Sequence, residues 1–286
     1  MLIADAPTGA PAGDAVMARA QTENFPVASR VLPRRVRSHL LALYGFARLV
    51  DELGDSAEGD RLAALDSLEG ELDRAFEGRA QHPLLVRLQP TLRECKLPRG
   101  PFVRLIEANR LDQRVSRYAT WEELRAYCVL SADPVGELVL GVLAAATPAR
   151  VALSDSICTA LQLTEHLQDV AEDLARGRVY LPGEDLARFG CTIEQLSAAH
   201  AGGPLRELLA FEVARARGLL AEGQPLIGEL RGRARIALAG FVAGGRAALD
   251  AIERAGYDVL AGPPRAGTGR RLLALAATLA APEARR

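Results

Sequence analysis

From about Pro33 to Ala281 the apolar side chains return every three or four residues, and nowhere do they settle into an alternating period of two. That rhythm leaves few folds open. A half-buried strand needs alternation and a fully buried one needs a β-branched run, and neither is present. Composition agrees. Hydrophobic residues make up 49% of the 286 residues and aromatics only 5%, and Ala, Leu and Arg, which lose little on entering a helix, dominate. No repeat and no long polar linker divides the chain, so one all-α, single-domain bundle is the economical expectation. Residues 1–20, rich in Ala, Gly and Pro, read as a flexible leader, residues 21–260 as the helical body, and residues 261–286 as a C-terminal loop and short helix.

Within the body, the spacing predicts helices over Pro33–Leu53, Arg61–Gly78, Pro83–Cys95, Pro101–Gln113 and Trp121–Leu130, the last opened by Thr120 with Glu123 completing a capping box. Ser131–Gly136 holds Pro and Gly and should break that helix, which resumes to about Ala146. Ser154–Ala175 reads as one long helix stopped by Gly177, and Pro182–Gly190 as a loop. Ile193–Ala199, Leu205–Glu222, Gln224–Gly256 and Arg271–Ala281 follow as helices, with a Gly/Pro loop at Gly262–Gly269.

Several function classes fall away. The chain carries 35 basic and 36 acidic residues, a net charge of −1, which gives no electrostatic reason to expect nucleic acid. The longest apolar runs, Leu138–Ala146 and Leu272–Ala281, are about half of a bilayer crossing. With no secretory signal, a cytoplasmic protein is expected. The last run is flanked by Arg270, Arg271, Arg285 and Arg286. It suits either a helix docked on the body or a peripheral contact on the inner face of the membrane. The four cysteines lack zinc spacing and read as buried free thiols. Neither a GxGxxG nor a GxxxxGK[ST] loop occurs, nor a GxSxG elbow.

The chemistry gathers on two helices. Asp51 and Asp55 are four residues apart near a helix C-terminus. There, stacked carboxylates repel each other and oppose the macrodipole. A divalent cation offsets both penalties, and magnesium favours one or two carboxylates together with phosphate oxygens. Asp169 and Asp173 repeat the spacing more than a hundred residues on. Gln162 and Glu165 extend that polar stripe up a helix that is otherwise apolar at Ile157, Leu161, Leu167, Val170 and Leu174. Polar groups on a mostly buried helix must be paired or metal-bound to avoid a desolvation cost. Two such faces opposing each other across a cavity would hold a metal cluster and a diphosphate. Arg48, three residues before Asp51, either grips a diphosphate oxygen or pairs with Asp51 or Glu52, and Tyr44 is one step further along the same face. Arg176 and Arg178 either close over a departing diphosphate or balance charge at the helix end. His166 is the histidine to watch. Around Ser131–Gly136, after Tyr127 and Cys128, either an ordinary kink or a set of exposed backbone dipoles facing a carbocation is expected.

Four ordered segments resemble the squalene/phytoene synthase family: ENFPVASRVLP (Glu23–Pro33), YGFARLVDELGD (Tyr44–Asp55), YCVLSADPVG (Tyr127–Gly136) and LQLTEHLQDVAEDLARGRVYLP (Leu161–Pro182). The resemblance covers about residues 21–260. It implies the all-α isoprenoid synthase fold around a central cavity, with magnesium on Asp51, Asp55, Asp169 and Asp173. It also implies that Arg48 holds the diphosphate and that Tyr127 faces the reacting carbons. Tyr44, Gln162, Glu165 and Arg178 complete the expected substrate-binding set. ENFPVAS, SADPVG and Gln168 are most similar to the hydroxysqualene synthases of bacterial hopanoid formation. That similarity implies presqualene diphosphate as substrate, no NADPH, and neighbouring enzymes of that route as partners. Two positions depart from the family pattern: Glu52 replaces a frequent aspartate and Glu165 a usual asparagine, which alters the charge beside the metals.

Two further readings stay open. One is a head-to-head synthase making squalene or a phytoene-type product from two prenyl diphosphates. The other is an inactive helical scaffold, which Glu52 and Glu165 would favour and which stabilisation by magnesium plus diphosphate would exclude.

Overall fold

The computed structural model describes residues 31–55 and 59–280. The expected leader and most of the ENFPVAS segment lie outside the described residues. Among the described residues there is no strand, only an isolated parallel bridge between Arg117 and Val179. The helices are α1 (Arg34–Asp55), α2 (Arg61–Phe76), α3 (Pro83–Cys95), α4 (Arg99–Asp112), α5 (Trp121–Ser131), α6 (Asp133–Val142), α7 (Pro148–Gln168), α8 (Val170–Ala175) and α9 (Gly183–Arg188). After a 3₁₀ turn (Ile193–Ser197) come α10 (Gly203–Gly223), α11 (Pro225–Glu229), α12 (Gly232–Arg254) and α13 (Thr268–Ala280). They fall into two compact units, residues 1–114 with 134–146, and residues 115–133 with 147–286.

In the first unit α1 packs against α2, α3 and α4. Phe46 of α1 and Phe102 of α4 are fully buried and meet edge to face with centroids 5.1 Å apart, the geometry aromatic quadrupoles favour. The end of α1 is pinned to α4 through Gly54. A Cβ there would lie 2.1 Å from Oδ1 of Asn109, so only glycine permits the approach. Gln113 then donates to the Gly54 carbonyl at 2.9 Å, satisfying an acceptor that a helix C-terminus leaves open.

In the second unit α7 is the central helix, packed by α10, α12 and α5. Its buried side includes Ile157, Ala160, Leu163 and Leu167. Close approach again depends on glycine: a Cβ on Gly223 of α10 would meet Ile157 at 2.4 Å, and one on Gly245 of α12 would meet Leu161 at 2.6 Å.

Three sequence expectations are corrected. The Ser154–Ala175 helix starts earlier, at Pro148 behind an N-cap by Thr147, and breaks at Asp169, whose φ and ψ are −105° and 17°. Pro182–Gly190 contains the short helix α9. Gln224–Gly256 is two helices, α11 and α12, parted at Leu230 and Arg231 with Gly232 at a φ of 57°. Apolar periodicity runs straight through both breaks, so it does not reveal them, and α9 is too short at six residues to show a period. Thr120 does cap α5 by accepting from Glu123 N–H, but the Glu123 carboxylate takes the N–H of Ala119 rather than that of Thr120. Of the cysteines, Cys128 and Cys191 are buried, Cys95 and Cys158 are half-buried, and all four are free thiols. None of the described helices is long and apolar enough to cross a membrane.

Candidate active site

In the first unit Tyr44, Arg48, Asp51 and Asp55 follow one side of α1 at helical spacing. Burial pushes the Asp51 carboxyl up to about 6; Arg48 pulls it down, Asp55 pushes it up, a hydrogen bond from Asn109 lowers it, and Asp112 raises it. The side chain nevertheless keeps 48% of its surface accessible. The carboxylate is therefore crowded by protein yet still reached by water, and the true desolvation is milder than full burial would impose. Arg48 stands 3.7 Å from Asp51, too far for a direct hydrogen bond. Both readings of Arg48 therefore survive, as a partner of Asp51 and as a cation able to turn toward a phosphate. Asn109 and Asp112, which act on Asp51 from α4, escaped the sequence reading; an Asn and an Asp near a helix end carry no distinctive local signal.

In the second unit the break at Asp169 reshapes the other aspartate pair. Asp173 N–H still bonds the Asp169 carbonyl at 2.8 Å, so the two residues stay one turn apart across the junction of α7 and α8. Burial is again the leading cause that pushes Asp169 up to about 6, reinforced by Glu172 and Asp173 and opposed by His166 and Arg265. Glu172 itself is exposed and belongs to the solvent side. Glu165 is half-buried on α7.

His166, 8% exposed, joins the parts. Gln162 Nε2 lies 3.1 Å from its Nε2, and its Nδ1 is 3.7 Å from Asp173 Oδ2. With the amide placed this way Gln162 donates, and the imidazole proton sits on Nδ1 toward Asp173. Tyr180 stacks on the imidazole with centroids 3.7 Å apart and planes 13° from parallel. Tyr127 lies 5.6 Å from Tyr180 and 5.3 Å from Tyr118. The chain brings Tyr118 and Tyr180 together by pairing residues 116–119 with 179–184: Val179 N–H donates to Ser116, and Gly183 N–H to Tyr118. Tyr118 and Tyr180 were also missed in the sequence, because only this long-range pairing unites them. His166, Val170, Asp173, Arg178, Tyr180 and Leu196 are among the residues around a small open recess.

Two residues of the resembling motifs turn out to be anchors. Asp133 of SADPVG is buried and accepts from Thr159 Oγ1 at 2.9 Å and Arg125 Nη1 at 2.8 Å. The helix break is thereby tied to α7 and α5. Gln168 donates to the Pro264 carbonyl, holding the loop that carries Arg265. Cys128 beside the break is pushed up to about 12, chiefly by burial and further by Asp133, which leaves it an inert thiol.

Among the described residues no three His, Cys, Asp or Glu side chains sit close enough to cage a metal ion. Each aspartate pair offers a cation two carboxylates, and the remaining oxygens would come from phosphate and water. Magnesium, unlike calcium or zinc, is commonly bound that way. Carboxylates placed one turn apart, with Asp51 and Asp169 raised in proton affinity by burial, fit such an ion, since a cation relieves the strain that a proton otherwise relieves.

All-helical architecture with two aspartate pairs on separate helices defines a class, and comparison with known proteins makes it specific. The squalene/phytoene synthase family model matches residues 18–272. The hydroxysqualene synthase of Sinorhizobium fredii is 38% identical over 216 residues, covering 73% of this chain and 72% of the relative. The 15-cis-phytoene synthase of Synechococcus elongatus is 32% identical over 269 residues, covering 88% and 87%. Among solved structures, squalene synthase HpnC from Alicyclobacillus acidocaldarius superposes with a TM-score of 0.79 at 48% identity, covering 86% of this chain and 92% of that one. The chain belongs to the squalene/phytoene synthase family. It is an enzyme with the all-α isoprenoid synthase fold, of the kind that acts on prenyl diphosphates.

Proposed function

We propose that this enzyme converts presqualene diphosphate to hydroxysqualene, releasing diphosphate, without NADPH. The observation that carries the reading is the setting of His166. Its ring face is covered by Tyr180 with Tyr127 nearby, while its edges address Gln162 and Asp173. Aromatic faces stabilise a cation, and hydrogen-bonding edges hold a water where it can add. The similarity to a hydroxysqualene synthase supports the same product.

In this account Asp51 and Asp55, and likewise Asp169 and Asp173, would hold magnesium for the diphosphate end. The metal, when bound, neutralises the diphosphate and makes it a leaving group. Arg48 and Arg178 hold diphosphate oxygens, Arg48 by its fork geometry. The C–O bond breaks with its electron pair leaving on diphosphate. The resulting cation rearranges beside Tyr127 and Tyr180. A water held by Gln162, Glu165 or His166 then adds, losing one proton to the medium. Tyr44 lines the approach on α1. The site is cytoplasmic, with peripheral contact on the membrane that stores the apolar substrate and product.

The runner-up is condensation of two prenyl diphosphates, which the 32% identity to a phytoene synthase keeps in play. Incubating the protein with magnesium and either presqualene diphosphate or two farnesyl diphosphates, with and without NADPH, separates them. Hydroxysqualene from the first substrate alone is expected. A hydrocarbon made from two farnesyl diphosphates, either without NADPH or as squalene with it, would favour the runner-up.

A further inference from the structure

Among the described residues, helix α13 leaves one side without a protein partner. α13 packs on α12 through Ala274, Leu275, Thr278 and Leu279, of which Thr278 is 2% exposed. Arg246 of α12 donates to Thr278 Oγ1 at 3.1 Å, and Arg235 reaches the Leu279 carbonyl at 3.5 Å. The opposite side presents Leu272 at 61% exposure and Leu273 at 71%, the two most exposed large apolar side chains among the described residues. Ala276, Ala277 and Ala280 continue that side, so no polar group interrupts it for three turns.

Charge singles out the same place. Residues 230–249 and 259–280, which hold most of α12 and all of α13, contain seven arginines and no aspartate or glutamate. The chain as a whole carries −1, so these stretches are locally basic. Arg231, Arg233 and Arg270 are exposed. The nearest acids in sequence are engaged by other arginines: Glu229 is paired with Arg150 at 3.1 Å, Asp250 with Arg217 at 2.7 Å, and Asp258 with Arg206 at 3.0 Å. An apolar stripe between arginines, on a helix about 20 Å long at 1.5 Å per residue, is too short to span a bilayer and matches one that lies in its interface.

We propose that the exposed side of α13 seats the protein on an anionic lipid bilayer, with Leu272 and Leu273 entering the headgroup boundary and the flanking arginines meeting lipid phosphates. The proposal rests on the peripheral-contact part of the function above and not on the product assignment. Its consequence is spatial. Gln168, adjacent to Asp169, holds the loop just before α13 through Pro264, so the docked helix is tied by one short loop to the second aspartate pair. An enzyme whose substrate is dissolved in lipid gains from having its docking helix connected to its site.

The test uses the full chain and sedimentation with vesicles. Binding to phosphatidylcholine mixed with phosphatidylglycerol is expected, with little binding to phosphatidylcholine alone and release at high salt. The pair Leu272→Glu/Leu273→Glu should weaken vesicle binding by at least about tenfold, and Arg270→Ser by about fivefold. Both should melt like the parent and turn over detergent-dispersed substrate at its rate. No binding to anionic vesicles at low salt would overturn the proposal, as would undiminished binding by the leucine variant. So would concentration-dependent dimerisation abolished by the leucine variant without any vesicle binding, since a second copy would then cover the face. Vesicle binding without any turnover would instead sink the product assignment and leave the docking surface standing.

Discussion

Nδ1 of His166 stands 3.7 Å from Oδ2 of Asp173, and the contact spans the break at which α7 gives way to α8. It couples an aspartate expected to hold metal to a ring that stacks on Tyr180. His166→Phe keeps an aromatic plane for the stack and removes both polar edges. We expect a rise in the magnesium concentration for half-maximal rate and a fall in kcat of about tenfold, in the range typical for loss of a positioned hydrogen-bonding group. The melting temperature should stay close to the parent's. Magnesium titrations of initial rate check this, and an unchanged magnesium requirement would remove His166 from the metal account.

Asp51→Asn and Asp169→Asn should each abolish turnover while the fold persists. Burial raises both carboxyls to about 6, above the ordinary aspartate value of 3.8. A carboxyl whose folded value is raised stabilises the fold below its unfolded value, and that contribution is lost as pH rises through about 6. At about pH 8 the ionised group is therefore a burden on the metal-free fold. For half-accessible Asp51 this burden is at most about 1 kcal/mol once solvent screening is allowed for. The asparagine variants should melt at or slightly above the parent without metal, and magnesium with diphosphate should stabilise the parent alone. Equal ligand stabilisation of parent and variants would count against ligation.

A separate pH effect belongs to Glu212 of α10, which is fully buried. It bonds Arg215 at 2.5 Å, and the same guanidinium bonds Asp185 at 2.9 Å while lying 4.6 Å from the Trp121 ring. Burial pushes Glu212 up to about 8, Arg215 pulls it down, and Asp185 raises it by both hydrogen bond and charge. Two acids around one guanidinium are best satisfied with one proton between them. The stabilising contribution is full below the ordinary glutamate value of 4.5 and is lost as pH rises through about 8. Glu212→Gln keeps a donor toward Asp185 and removes the titration. Thermal melts at about pH 6 and about pH 9 should show the parent losing more stability than the variant. Parallel curves would refute the shared proton.

Gly54→Ala places a methyl 2.1 Å from Asn109 Oδ1. Either Asn109 or the last turn of α1 must move, at a cost of about 1–3 kcal/mol. Because Asp51 and Asp55 ride on that turn, turnover should fall along with stability. Denaturant melts and kcat measured on the same preparations test whether the two move together.

Helices and the motif residues were legible in the sequence because each rests on local spacing. Pro83–Cys95 falls where its proline start and apolar rhythm place it. The breaks at Asp169 and at Leu230 were not legible, because apolar residues keep helical spacing across both. The aromatic group around His166 was partly legible: Tyr127, His166 and Tyr180 stand in the motifs, whereas Tyr118 lies outside them and meets Tyr180 only through pairing across some sixty residues. Gln168 and Asp133 carried the family resemblance, yet Gln168 bonds Pro264 and Asp133 bonds Thr159 and Arg125. A residue's presence in a motif tells which family built it in, not which atom it touches.

The two aspartate pairs belong to different units, and the proposed chemistry needs them on one diphosphate. A crystal structure with magnesium and diphosphate should place carboxylates of the two pairs roughly 6–12 Å apart, given metal–oxygen bonds of about 2 Å on each side. Metal found on one pair alone would contradict the shared site.

The origin of the product's oxygen tests the central claim most directly. Presqualene diphosphate, magnesium and the pure protein are incubated in water carrying heavy oxygen, without NADPH, and the product is read by mass spectrometry. The account predicts one heavy oxygen in hydroxysqualene, delivered when water adds to the cation beside Tyr127, Tyr180 and His166. Squalene made with hydride from labelled NADPH, and no oxygen-bearing product without it, would contradict the account.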